Sequence, residues 1–211
     1  MPARKTPASP FVTAQRHLAR RDPVLKRVIA AVGPCTLRIE PDGFHILTRA
    51  IISQMISTKA ALAIAGRVQA LLGDDGITPA ALLAAEIDAL RGAGLSASKV
   101  QALRDLAERV HTDVLPMARL PKLSDDEVIG HLVPVRGIGR WTAEMFLIFS
   151  LGRLNVLPVG DFGLRAGVQE QYGLKELPGA ETLRKLAARW EPYRSIATWY
   201  FWRSRGAVPQ S

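Results

Sequence analysis

Apolar residues recur at three- and four-residue spacing along most of this chain, and strict alternation is nearly absent, which predicts an all-α fold. The first amphipathic stretch runs from Arg16 to Ala31. Phe44, Leu47, Ile51 and Met55 put one buried face on the next helix, and Thr58 to Leu72 form another, stopped by Gly73. Two short helices follow, Pro79 to Leu83 and Glu86 to Leu90. Gly92-Ala93-Gly94 breaks the pattern, and Ser96 or Ser98 can cap a helix reaching about His111. Ser124-Asp125-Asp126-Glu127 is a capping box ahead of Val128, Ile129 and Leu132. A glycine turn leads into a helix from about Arg140 to Ser150. Asn155 to Val159 is the most extended stretch, but Pro158 argues against a central strand. Gly160-Asp161 opens a further helix, and the last two span about Glu181 to Trp190 and Tyr193 to Arg203.

Composition adds a class of partner. With 28 Lys and Arg against 19 Asp and Glu, the 211 residues carry a formal charge of +9 and a pI near 10.3. Such a balance suits a polyanion, most commonly nucleic acid, although a merely basic enzyme with a solvated surface has the same count. The abundance of arginine fits phosphate forks and can equally follow genome base composition. A hydrophobic share of 48% against 22% charged excludes a disordered chain. No apolar run reaches the roughly 18–20 residues of a membrane span, and Met1 to Pro10 lacks the apolar segment of a secretory signal. That terminus reads as a short disordered leader, and the location as cytoplasmic, with the nucleoid of a bacterium. The single cysteine, Cys35, excludes an intrachain disulfide, a thiolate zinc site and a cysteine-ligated iron–sulfur cluster. His17, His45, His111 and His131 are scattered, so no metal site is expected.

The most informative stretch is Leu132-Val133-Pro134-Val135-Arg136-Gly137-Ile138-Gly139-Arg140-Trp141-Thr142-Ala143-Glu144. A short helix enters Gly-Ile-Gly and a second begins at once. Gly137 and Gly139 allow a tight turn and close approach by another molecule, while Ile138 can tuck back as an apolar anchor. The new helix points free amides outward at the turn, which makes a place for an anion such as a DNA phosphate. This string resembles the helix-hairpin-helix of the DNA glycosylase superfamily, in its 3-methyladenine DNA glycosylase II branch. Ala50 to Ser57, Gly94 to Lys99 and Tyr193 to Arg203 are similar to further motifs of that family, so the resemblance covers roughly residues 10 to 205.

The resemblance implies two interleaved helical lobes with the active cleft between them. One would hold residues 40–160 and the other 11–39 with 161–211, in a compact form without the N-terminal β domain of bacterial relatives. No linker or repeat divides the chain in series. The family's catalytic aspartate falls on Asp161, within Val159-Gly160-Asp161-Phe162-Gly163-Leu164-Arg165. An aspartate here is also a good N-cap, and both roles can hold together. The chemistry fits, because breaking an N-glycosidic bond builds positive charge on the deoxyribose that a fixed anion stabilises. A base alkylated at a ring nitrogen is already cationic and leaves without a general acid.

Lyase-competent relatives carry a lysine where this chain has Trp141, so a monofunctional enzyme acting on alkylated bases of the 3-methyladenine and 7-methylguanine type is expected. By resemblance Trp141, Phe162, Trp202 and Met145 line the pocket for a flipped base. Met145 stands where that branch has a tyrosine. Trp199, three residues before Trp202, reads as core. Gly137, Ile138, Gly139, Arg140 and Thr142 are expected to hold DNA, with Gln54 and with Met55 as the wedge that fills the duplex. Met55 can instead continue the buried Leu47–Ile51 stripe. The expected partner is double-stranded DNA bound by a monomer away from any membrane. No cofactor is required, although a monovalent cation at the hairpin carbonyls is compatible with the resemblance. The rival readings are a non-catalytic DNA-binding module, a glycosylase for a neutral base, and a lyase-competent endonuclease.

Overall fold

Asp22 decides where the first amphipathic stretch divides. Its Oδ1 accepts Val24 N (2.9 Å) and Leu25 N (3.3 Å), starting a new helix, and Pro23 has the fixed φ that suits a first helical position. In the computed structural model, which describes residues 10–206 and Val208, α1 (Pro10–Arg21) and α2 (Pro23–Val32) replace the single run expected from Arg16 to Ala31. Because α1 starts at Pro10, that residue is helix; the rest of the expected leader lies outside the described residues.

The remaining helices fall close to their predicted places. They are α3 (Gly43–Ser53), α4 (Thr58–Leu72), α5 (Pro79–Ala84), α6 (Ile87–Gly92), α7 (Ala97–His111), α8 (Asp125–Leu132), α9 (Arg140–Phe149), α10 (Phe162–Tyr172), α11 (Ala180–Ala187) and α12 (Arg194–Ser204). Among the described residues there is no strand, and Asn155 to Val159 is a connection. Side-chain caps explain the starts: Ser57, Thr78, Ser96 and Ser124 each accept an amide of their helix's first turn. At α8 the box is reciprocal, with Glu127 Oε2 accepting Ser124 N at 2.8 Å.

The chain divides into two compact units. One is Glu40–Leu151; the other joins residues up to Ile39 with those from Gly152 on. In the first, α9 is buried continuously from Thr142 to Phe149 and packs on α3 and α8, while α7 packs on α3 and α5. A helix buried this continuously is central to its unit. Gly43 lets α3 reach it, since a Cβ there would lie 2.7 Å from Phe146 Cε2.

In the other unit α12 is the central helix, buried from Ser195 to Trp202 and packed on α1, α2 and α10. The connection at 152–159 belongs here, which moves the second boundary from the expected 160 to 151. Ser195 causes this: its Oγ donates to Arg153 O (2.6 Å) and accepts Val156 N (2.9 Å), and its amide donates to Leu154 O (3.0 Å). The unit's two sequence segments are joined at the fully buried Asp22, whose Oδ2 accepts the Tyr172 hydroxyl and Trp190 Nε1, the latter at 2.9 Å. Burial, and then the Asp22 contact, push the Tyr172 hydroxyl's pKa upward. Removing this carboxylate strands several buried donors, each worth about 1–3 kcal/mol. We therefore expect Asp22→Ala to lower unfolding stability by about 3 kcal/mol or more in chemical denaturation. A loss below about 1 kcal/mol would show that the junction is held elsewhere.

Candidate active site

In the Glu40–Leu151 unit, the turn between α8 and α9 is held from below. Gly137 has φ +78, and a Cβ there would sit 3.3 Å from the Ala102 Cβ, so the turn needs glycine for both conformation and space. Gly139 caps α9 with no side-chain bond, leaving the first-turn amides at an exposed glycine. Ile138 and Thr142 are buried, so the turn presents the backbone at Gly137 and Gly139 and the side chain of Arg140. Arg140 Nε pairs with the buried Glu144 carboxylate at 3.1 Å.

Three side chains tie this turn to the rest of the unit. Gln54 Nε2 donates to Gly137 O at 2.7 Å, Asp105 Oδ2 accepts Arg136 N at 2.7 Å, and Gln101 Oε1 accepts Arg136 Nη1 at 2.9 Å. Sequence reading places Gln54 with DNA and passes over Gln101 and Asp105. Their i, i+4 spacing on α7 puts them on one face, but such spacing on an amphipathic helix looks like any solvated side.

The Gln54 bond also fixes the end of α3. That helix stops at Ser53, and its buried residues include Ile46, Leu47, Ile51 and Ile52. Met55 lies beyond it with φ +59 and is 100% exposed. The reading of Met55 as core therefore fails, because the helix ends before the stripe reaches it. A left-handed, non-glycine, apolar residue in solvent costs about 1–2 kcal/mol of backbone energy alone, so its neighbours must impose it. Gln54, the residue before Met55, is bonded to the hairpin, and further back Lys99 Nζ donates to Ile52 O at 2.7 Å, capping the last turn of α3; burial lowers the Lys99 pKa. Nearby in sequence to the turn, Trp141 is 44% exposed, while Met145 one turn further along α9 is buried.

In the other unit, Asp161 caps α10. It is 6% exposed, and its Oδ1 accepts Leu164 N at 2.5 Å and Trp202 Nε1 at 2.7 Å. Both donors are N–H groups, which suit a carboxylate acceptor. Phe162, the next residue, is 65% exposed, with the Arg205 guanidinium 6.0 Å from its ring centre and Arg205 paired to Glu170 at 2.9 Å. Trp202 is only 1% exposed. Trp199 is buried too, edge-on to Tyr200. The fold thus brings Asp161, Phe162 and Trp202 together, whereas Trp141 and Met145 stand on α9. Gly163, to which sequence reading gives no role, separates none of these groups only because it lacks a side chain: a Cβ would lie 3.2 Å from Asp161 Oδ1. Among the described residues, no group of three or more His, Cys, Asp or Glu could hold a metal ion, and no helix is long and apolar enough to cross a membrane.

Comparisons with known proteins support the all-α fold. A sequence model for the HhH-GPD superfamily of base excision DNA repair proteins matches residues 48–192. The alkylbase DNA glycosidase-like protein mag2 of Schizosaccharomyces pombe is 33% identical, over 92% of this chain and 94% of its own. DNA-3-methyladenine glycosylase 1 of the same yeast is also 33% identical, over 90% of this chain and 86% of its own. Among solved structures, a DNA-3-methyladenine glycosidase from Bacillus halodurans superposes with a TM-score of 0.84 at 39% identity, covering 94% of this chain and 90% of that one. The S. pombe 3-methyladenine DNA glycosylase Mag1, in complex with abasic DNA, gives 0.79 at 31% identity, covering 94% and 99%.

The hairpin ties have a direct test. Gln54→Ala removes one exposed hydrogen bond of about 1 kcal/mol, which amounts to roughly a five- to tenfold faster hydrogen exchange at Ile138, whose amide donates to Val135 O within the turn. Global stability should change little. Unchanged exchange at that amide would mean that Gln54 does not hold the turn.

Proposed function

The chain belongs to the HhH-GPD superfamily of base excision DNA repair proteins, and on that footing we propose that it is a monofunctional DNA glycosylase hydrolysing the N-glycosidic bond of alkylated bases. The observation that carries this reading is the Asp161 carboxylate, shielded from water and held by N–H donors at the start of a helix.

The chemistry needs little more. As the base leaves, positive charge spreads over C1′ and the ring oxygen of the deoxyribose. Asp161, set against the sugar, stabilises that charge without reorganising, and it orients the water that attacks C1′. The water gives its oxygen to C1′ and its proton to a base in the solvent or to the carboxylate. A 3-methyladenine or 7-methylguanine leaves with the bond's electron pair and becomes neutral, so no acid has to protonate it. The residue after Arg140 is Trp141, and no amine is placed there for a Schiff base.

The binding roles follow from what each group presents. Gly137, Gly139 and the N-terminus of α9 supply backbone amides to a phosphate, with Arg140 beside them. Met55, unbranched and fully exposed, fills the space that a flipped nucleotide leaves in the duplex. Phe162 offers an exposed aromatic face next to the carboxylate, and Trp141 is the aromatic face carried by α9, with the buried Met145 one turn further along that helix. A cationic base gains from either ring. The Gly137 carbonyl, which accepts Gln54, has a second lone pair, so the turn can also accommodate a monovalent cation; such an ion would steady the hairpin carbonyls. A monomer on one stretch of duplex DNA is the simplest assembly.

Incubation with methylated duplex DNA tests this reading. We expect free 3-methyladenine or 7-methylguanine, an unbroken strand carrying an abasic site, and no covalent adduct on borohydride treatment. Binding without release would point to a DNA-binding module. Release only from uracil or oxidised-guanine duplexes would reassign the substrate, and a trapped adduct would contradict the monofunctional assignment.

A further inference from the structure

Resemblance assigns Trp202 to the base pocket, yet its indole is sealed among helices and its one polar side-chain atom is spent on Asp161. We propose that Trp202 and Gly163 are positioning residues that set the orientation of the Asp161 carboxylate. This rests on the glycosylase reading above.

An aspartate N-cap bonded only to its own helix keeps some freedom, since a single short-range N–H tolerates a range of side-chain torsions. The Trp202 Nε1–H comes from α12, a separate helix, and reaches the same Oδ1 at 2.7 Å. Two donors from different elements define the carboxylate's plane as one cannot. Residue 163 being glycine leaves room for this approach, because any side chain there would make the indole or the carboxylate yield by a few tenths of an ångström. A Cβ there would meet Trp202 Cδ1 at 3.1 Å, Asp161 Oδ1 at 3.2 Å and Trp202 Nε1 at 3.3 Å. No left-handed backbone angle demands glycine at 163, and alanine has the higher helix propensity. Space is what the glycine provides.

One turn further on the same face of α10, Gly167 meets α12 more closely still. A Cβ there would lie 2.8 Å from the Phe201 carbonyl oxygen. Residues 163 and 167 are thus a notch into which α12 settles, Phe201 opposite one glycine and Trp202 opposite the other. The depth of that notch fixes how near the indole comes to the carboxylate.

The test compares Trp202→Phe and Gly163→Ala with the wild-type chain. The first removes the N–H and keeps most of the ring; the second keeps the tryptophan but crowds its indole against the carboxylate by a few tenths of an ångström. Trp199→Phe, the same exchange one helical turn away, serves as control. Under single-turnover conditions on methylated duplex, we expect release to slow about 10- to 100-fold in both variants, the scale of a misplaced reacting group. Duplex affinity should stay within about twofold of wild type, and the control should retain its rate. In ¹⁵N-tryptophan-labelled protein, the Trp202 indole N–H signal, identified by its loss in Trp202→Phe, should move in Asp161→Asn and in Gly163→Ala. If Trp202→Phe does not fold, Gly163→Ala carries both readouts. Wild-type release rates in the folded variants, or an indole signal indifferent to Asp161→Asn, overturn the proposal. No release by the wild-type chain would instead sink the glycosylase reading, leaving the indole signal to decide the contact alone.

Discussion

The close approach of α12 to α10 is the constraint on which the half of the molecule carrying Asp161 depends. Gly167 allows the two backbones to touch, Gly163 allows the Trp202 indole to lie across the helix start, and Asp161 accepts its N–H. Moving any one of these outward shifts the others, because protein interiors cannot absorb a displaced methyl group without strain. The carboxylate's geometry is therefore written into helix packing rather than into a flexible loop. Asp22 plays the corresponding part for the architecture: it caps α2 and gathers Tyr172 and Trp190 from the distant C-terminal segment. Both aspartates are N-caps whose remaining acceptor capacity has been put to long-range use.

The Glu40–Leu151 unit follows a similar logic with different groups. Its hairpin and its exposed Met55 are joined by Gln54, which sits between Met55 and the end of α3 and bonds the hairpin backbone. Helix α7 underlies the arrangement, with Lys99 at the end of α3, Ala102 against Gly137, and Gln101 and Asp105 on Arg136. An apolar residue held in solvent at a positive φ is unfavourable in the free protein. It becomes useful only when another molecule covers it, which is the situation of a side chain inserted in a kinked duplex.

Much of this was legible from residues. Helical periodicity, serine caps and the Ser124–Glu127 box place most elements, and Gly-Ile-Gly followed directly by a helix marks the hairpin. Where the reading erred, the cause is specific. Pro23 lies inside an unbroken apolar pattern, and only the Asp22 cap shows that it starts a helix rather than continuing one. Met55 stays in register with Leu47 and Ile51, so periodicity alone carries the helix past its true end. Ser195 captures residues 153–156 by hydrogen bonds that no local pattern announces. The roles of Gly163, Gln101 and Asp105 arise from contacts between elements distant in sequence, which a hydrophobic pattern does not encode.

The central claim is that Asp161 is the group that stabilises the departing sugar's charge. Asparagine is nearly as good an N-cap as aspartate, so Asp161→Asn preserves the start of α10 while removing the anion. Measured in single turnover on methylated duplex, the account predicts a loss of about 10²- to 10³-fold or more in the rate of base release, with duplex affinity retained. A variant that binds as before and releases base at close to the wild-type rate would contradict it.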